Sequence, residues 1–371
     1  MKTAVLTGAT SGIGNSILRE FIDDGYTVYA GYRDIRQKKE LAAISSQVIP
    51  FRIDLTKKWT VEDAIKTINQ SVEKIDVLIN VAGKVIAGPL ETLSVNKIRE
   101  QFEVNTFAQL EFAQGLFEKL DGGKIINMSS MASYGMFPFL APYCASKKAL
   151  DMLFNSLRIE TGTKVKIISV KPGVIATPLW QKAVDENREN LGAGKYKVVA
   201  DFLIANAMKN SSDGLNPVVV AKKVLQIANC EKPKNSYVIG FDAKGVQLLS
   251  KLPQKFIDVI VEHQLVKRVK EQLNKVMVIQ NPTDSVSEQT FVEQEKQETS
   301  EPDQEENNHL DTLFEPETDI SLEHIDINND NAEENNSQQE EFEEIEEQKH
   351  DDGFESALQD AIDANQSDRE D

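Results

Sequence analysis

Cysteine is nearly absent from this chain of 371 residues. Cys144 and Cys230 are too few for a disulfide framework, and no CxxC or Cys/His cluster suggests zinc. That usage fits a reducing, cytoplasmic setting with no bound metal. Histidine is scarce too. His263, His309, His324 and His350 all lie beyond residue 260, so the body of the chain has no imidazole for a Ser-His-Asp triad, and acid/base chemistry there needs another residue type. No apolar run approaches the roughly 18 residues of a membrane span. The opening MKTAVLTGAT already reads as strand and turn, which leaves no room for a signal peptide.

Positive charge is what the C-terminal quarter lacks. Beyond residue 282 there are 32 acidic side chains and only three basic ones, Lys296, Lys349 and Arg369, a net −29. Residues 1–282 therefore carry +10, and the overall −19 averages two unlike segments. Runs such as EEFEEIEEQ are too polar and too self-repelling to bury a core, so residues 283–371 are expected to form a disordered acidic tail. Within it Phe354, Leu358, Ala361 and Ile362 fall at helical spacing. They read either as chance apolar residues in a solvated tail or as a short docking segment for a partner the sequence does not name. The basic body shows no aromatic-basic clustering, so nothing supports nucleic-acid binding.

Within the body, short apolar runs alternate with longer amphipathic stretches. Strands are expected at Ala4 to Leu6, Thr27 to Ala30, Val48 to Ile53, Asp76 to Ile79, Lys124 to Asn127, Val165 to Val170 and Tyr237 to Ile239, with helices between them and a further helix over Val218 to Asn229. This alternation predicts an α/β fold: a doubly wound parallel sheet, of the Rossmann type, over residues 1–250. A C-terminal amphipathic helical segment would follow over residues 251–282. Its helix, Pro253 to Lys275, carries Phe256, Ile257, Ile260, Val261, Leu265 and Val269 on one side and Lys255, Lys267, Arg268 and Lys270 at the margins. Such a helix packs on its own body or a sister subunit, or rests on an anionic membrane surface as a peripheral contact.

Chemistry begins at Thr7-Gly8-Ala9-Thr10-Ser11-Gly12-Ile13-Gly14, directly after the first strand and opening the first helix. Gly8 permits a tight turn, Gly12 lets backbone approach a pyrophosphate, Gly14 lets helix pack close to strand, and the helix N-terminus offers free amides to phosphates. Downstream come Asp54-Leu55, Asn80-Val81-Ala82-Gly83, Asn105, Ser130, Tyr143 with Lys147 four residues on, and Pro172-Gly173-Val174-Ile175-Ala176-Thr177. TGxxxGIG, the NVAG element, Ser-x(12)-Tyr-x(3)-Lys and PGxVxT, in this order over about 250 residues, resemble the short-chain dehydrogenase/reductase family. Two departures are visible: Val81 stands where the family's NNAG has Asn, and Ala108 where many members have Gly.

The resemblance implies an oxidoreductase moving hydride between a nicotinamide dinucleotide and a carbonyl/alcohol pair. Ser130, Tyr143, Lys147 and Asn105 would be the catalytic set, Lys147 also binding the nicotinamide ribose and Asn105 holding a proton-relaying water. Gly8, Thr10, Ser11, Gly12, Ile13, Gly14, Asp54, Leu55, Asn80, Ala82, Gly83, Pro172, Gly173, Ile175 and Thr177 would bind the cofactor. A homodimer or homotetramer is implied as well. Physically, Tyr143 and Lys147 share one helix face, and a neighbouring ammonium is expected to pull the phenol pKa from about 10 toward neutrality. Ser130 could hydrogen-bond the substrate oxygen where charge develops.

At the end of the second strand, VYAGYRD places Tyr32 where NAD-using members carry Asp, with Arg33 following, which resembles the pattern preferring NADP(H); NAD(H) remains possible, with Asp34 as the selector if the strand ends one residue later. Phe137, Phe139, Leu140, Leu179, Trp180 and Phe202 suggest an apolar substrate pocket or, equally, core. TPLW and the closing segment resemble members acting on lipids, steroids and retinoids. A dinucleotide-binding redox sensor or scaffold, whose tail recruits a partner, is the alternative reading.

Overall fold

The computed structural model describes residues 2–191, 196–263 and 267, all within the unit Met1–Gln272. The acidic tail, its apolar segment around Phe354 and the end of the helix expected over Pro253 to Lys275 lie outside the described residues. Residues 254–263 are helical.

Seven strands form one sheet: β1 (Thr3–Leu6), β2 (Thr27–Tyr32), β3 (Val48–Arg52), β4 (Val77–Asn80), β5 (Lys124–Met128), β6 (Lys166–Pro172) and β7 (Ser236–Ile239). Their order is β3-β2-β1-β4-β5-β6-β7, every neighbouring pair parallel. The five inner strands are buried on both faces, which is why they read as apolar runs. Alternation sorts their side chains. Ala4, Leu6, Val77, Ile79, Ile126 and Met128 join one core, whereas Val5, Leu78, Ile125 and Ile167 join the other. The first core is completed by α1 (Gly12–Asp23) and α9 (Pro217–Asn229), through Ile17, Phe21, Val220 and Val224. The second is completed by α3 (Lys58–Ser71), α5 (Ala108–Gly115) and α6 (Ala141–Glu160), through Val61, Ile68, Phe112, Leu150 and Phe154. This is the doubly wound fold expected from the alternation.

The remaining helices are α2 (Ile35–Ala42), α4 (Val95–Phe102), α7 (Leu179–Leu191), α8 (Lys197–Asp213) and α10 (Phe241–Leu249). Strand order reverses between β1 and β4, and a parallel sheet opens a crevice at the carboxyl ends of the strands on either side of that reversal. Among the described residues no helix is long and apolar enough to cross a membrane, and no group of three or more His, Cys, Asp or Glu side chains could hold a metal ion.

Candidate active site

The crevice is a cleft of about 510 Å³. Its floor is built by tight turns after β1 and β4. Gly8 adopts φ 71°, and a Cβ there would meet the Ala82 amide nitrogen at 2.9 Å, so only glycine lets the two turns touch. Gly14 lies beneath, where a Cβ would fall 2.0 Å from the Gly8 carbonyl oxygen. The Thr7 hydroxyl ties the turns together, accepting from the Val81 and Ala82 amides at 3.0 and 3.2 Å. Ser11 precedes α1 but its side chain makes no capping bond, so no side chain occupies the first-turn amides, and Thr10, Ser11, Gly12 and Ile13 line the cleft.

Two carboxylates near the β2 and β3 ends are already engaged. Asp34 accepts from the Arg36 backbone amide at 2.9 Å, pairs with the Arg36 guanidinium and caps α2; the hydrogen-bonded guanidinium draws its pKa down to about 2. β2 runs through Tyr32, one residue past Gly31, the shift that would favour Asp34; yet Arg33 lines the cleft and Asp34 does not. The Asp54 carboxylate accepts from the Thr56 amide and hydroxyl at 3.1 and 2.8 Å.

Tyr143 and Lys147 enter from the first turns of α6, and Ser130 follows the end of β5; all three are buried and line the cleft. The Ser130 oxygen accepts from the Ala132 amide at 3.1 Å, which leaves its proton free to donate. Burial pushes the Tyr143 phenol up to about 12, against the pull of the Ser130 hydroxyl. This corrects the expected drop toward neutrality. Lys147 does not reach the phenol: its ammonium donates to the Met128 carbonyl at 2.8 Å and lies 6.0 Å from the Tyr143 ring centroid. Burial lowers Lys147 itself to about 8, partly opposed by Asp151.

Asn105 is fully buried in a π-helical turn, Glu103–Phe107, between α4 and α5. Its carboxamide accepts from the Lys84 amide at 3.0 Å and donates to the Lys84 carbonyl and Ser146 hydroxyl at 3.1 Å each. It therefore supports the wall of the cleft from behind and does not line it. Gly14 and Asn80 likewise stand behind the surface, Asn80 donating to Asn127 at 2.9 Å. Every other residue expected at the site lines the cleft: Gly8, Thr10, Ser11, Gly12, Ile13, Arg33, Asp54, Leu55, Ala82, Gly83, Ser130, Tyr143, Lys147, Pro172, Gly173, Ile175 and Thr177.

Sequence reasoning missed the frame around Asn105. Gln101 donates to the Lys84 carbonyl at 2.8 Å and accepts from the Ile86 amide at 2.6 Å. Gln109 donates to the Ala82 carbonyl at 2.7 Å. Asn187, from α7, accepts from the Ala87 amide at 2.9 Å and donates to the Val85 carbonyl at 2.8 Å. Residues 101, 105 and 109 recur every four positions, a row of carboxamides on one helical side that could have been noticed. Of the apolar residues suggested for a substrate pocket, Leu179 and Trp180 line the cleft; Phe137 and Leu140 pack in the small cluster holding Tyr143, and neither Phe202 nor Phe139, which meets Tyr196 edge-on at 5.6 Å, lines it.

The model of the short chain dehydrogenase family matches residues 2–188, half of the chain. The chain belongs to this family. It is 31% identical over 294 residues to an NADPH-dependent 3-dehydrocapnine reductase of Ornithobacterium rhinotracheale, covering 73% of this chain and all of the relative. A short chain dehydrogenase from Burkholderia cenocepacia, solved with NADP, matches with a TM-score of 0.53 at 25% identity over 70% of this chain and 99% of its own. A relative from Burkholderia phymatum, solved with NAD, matches with a TM-score of 0.59 at 21% identity over 70% and 94% of the two chains. The protein is accordingly an oxidoreductase whose chemistry is hydride transfer on an alcohol/carbonyl pair.

Proposed function

We propose that the protein reduces a ketone or aldehyde to its alcohol with NADPH. The observation that carries this reading is the convergence of Ser130, Tyr143 and Lys147, all buried, on the cleft that also receives the uncapped start of α1. The residues fit a dinucleotide. The free amides of α1 suit its diphosphate, and the close approach of Gly8 to Ala82 leaves the turn open to it. Arg33 lines the cleft while Asp34 is spent on α2 and Arg36, so a 2′-phosphate meets the Arg33 guanidinium and not the Asp34 carboxylate. The name of the 31% identical relative, an NADPH-dependent reductase, supports the same choice; NAD(H) is the weaker cofactor.

When bound, the cofactor supplies the hydride. Tyr143, held protonated by burial, donates its phenolic proton to the carbonyl oxygen as that oxygen takes on negative charge. Ser130 donates to the same oxygen and stabilises the charge. Lys147 holds a positive charge beside them, and Asn105 fixes the wall against which the substrate lies. The test is NADPH consumption by the purified protein over a panel of ketones and aldehydes. Activity on none of them, with NADPH or NADH, would leave the chain a dinucleotide-binding protein without this chemistry.

A further inference from the structure

The substrate end of the cleft carries charges that reduction of a plain ketone does not require. The Lys84 ammonium, 23% exposed, stands 2.7 Å from Glu100 of α4 and 3.6 Å from Glu186 of α7. Two carboxylates against one ammonium leave a surplus negative charge. Lys182 precedes Glu186 by four residues on α7, the spacing of an intrahelical ion pair. Glu186 turns to Lys84 instead, and the Lys182 ammonium has no partner among the described residues. All four side chains line the cleft that holds Ser130 and Tyr143.

We infer that the carbonyl substrate carries a zwitterionic head group, its ammonium received by Glu100 and Glu186 and its acid group by Lys182. The inference rests on the reductase reading and names the substrate class for the same site. The four charges sum to zero, but the ion pairs join Lys84 to both carboxylates and leave Lys182 outside them. A purely anionic substrate would face two carboxylates, and a purely cationic one would face Lys182. Only a substrate with both signs satisfies the two ends together. Lys182 and Glu186 are one helical turn apart, about 5–6 Å between Cβ atoms, so both side chains can reach one small head group. Leu179 and Trp180, on the same stretch of α7, give the remainder of the molecule an apolar wall. The walls are therefore mixed, with Leu179 and Trp180 beside the charged side chains.

Four matched methyl ketones test this with NADPH: 2-amino-4-oxopentanoate (zwitterion), 4-oxopentanoate (anion), 4-aminobutan-2-one (cation) and 2-pentanone (neutral). The zwitterion is expected to exceed the neutral ketone in kcat/KM by at least about tenfold, the scale of partly shielded charge pairs, mainly through KM. Glu186→Gln should reduce the advantage conferred by the amine, and Lys182→Gln the advantage conferred by the acid, each leaving the other. Turnover of 2-pentanone equal to or better than that of the zwitterion overturns the inference while leaving the reductase reading intact. Absence of turnover on all four counts against the reductase reading. The inference is then decided by calorimetry on NADP-loaded protein, where equal binding of zwitterion and neutral ketone overturns it.

Discussion

The Lys171 ammonium, at the end of β6, stands 2.8 Å from the Asp151 carboxylate on α6, and both side chains are almost enclosed, 11% and 5% exposed. Asp151 lies one helical turn beyond Lys147 and is the group that opposes the effect of burial on it. Neither Asp151 carboxylate oxygen has a hydrogen-bond partner, so charge holds the pair together. On its other side Lys171 sits over the Tyr134 ring, 4.1 Å from the centroid.

Removing one half of such a pair strands the other. Asp151→Ala should lower stability by about 3–5 kcal/mol, whereas Asp151→Leu combined with Lys171→Met should cost far less. Urea unfolding of both variants decides the matter. Equal losses would mean that packing volume matters there, and charge does not.

Tyr143→Phe deletes the proton donor while leaving the ring. Turnover should drop by at least about a hundredfold, the usual scale for a general acid, with NADPH affinity little changed. Wild-type turnover of a confirmed substrate by the Phe variant would remove Tyr143 from the mechanism.

Lys147, lowered by burial from 10.5 to about 8, sets a pH limit. The unfolded chain keeps this proton to about 10.5, so its burial opposes folding most strongly below pH 8. The penalty fades between about 8 and 10.5, and the residue's contribution to stability rises with pH across that window. Activity should run the other way, because the ammonium is lost over the same window. Carbonyl reduction, followed as kcat/KM of the free enzyme, is expected to decline above about pH 8. The Tyr143 phenol, near 12, adds no titration of its own there. A profile flat to about pH 10 would show that the charge is not needed.

Arg33→Asp removes the guanidinium that faces a 2′-phosphate and adds repulsion. NADPH binding should weaken by at least about tenfold more than NADH binding, as expected for a charge-assisted contact turned repulsive. Fluorescence titration with both cofactors measures this, and equal losses would place phosphate recognition on another residue.

All seven strands were legible because a parallel sheet covered on both faces demands short apolar runs; observed bounds differ from the expected ones by one or two residues. The site residues were legible because glycine turns and the Ser130, Tyr143 and Lys147 spacing impose residue types at fixed positions. The π-helical turn at Glu103–Phe107 left no such trace, since an extra residue in a helix changes backbone bonding without a new pattern of side chains. The Tyr143 pKa was misjudged because Lys147 goes to the Met128 carbonyl, a contact made by the end of β5 and unrelated to sequence spacing. The pairs Lys84–Glu186 and Lys171–Asp151 join distant segments, and only the fold brings them together.

The carboxamides of Gln101, Asn105, Gln109 and Asn187 act together as a substitute for a neighbouring strand beside residues 82–87. Much of that stretch's main-chain bonding capacity is consumed before any substrate arrives, so a ligand cannot be read there by pairing along the backbone. Discrimination on this wall falls to side chains mounted on a fixed support. Exchanging Lys84 or Val85 would then change which molecule is preferred without altering the course of the chain that carries them.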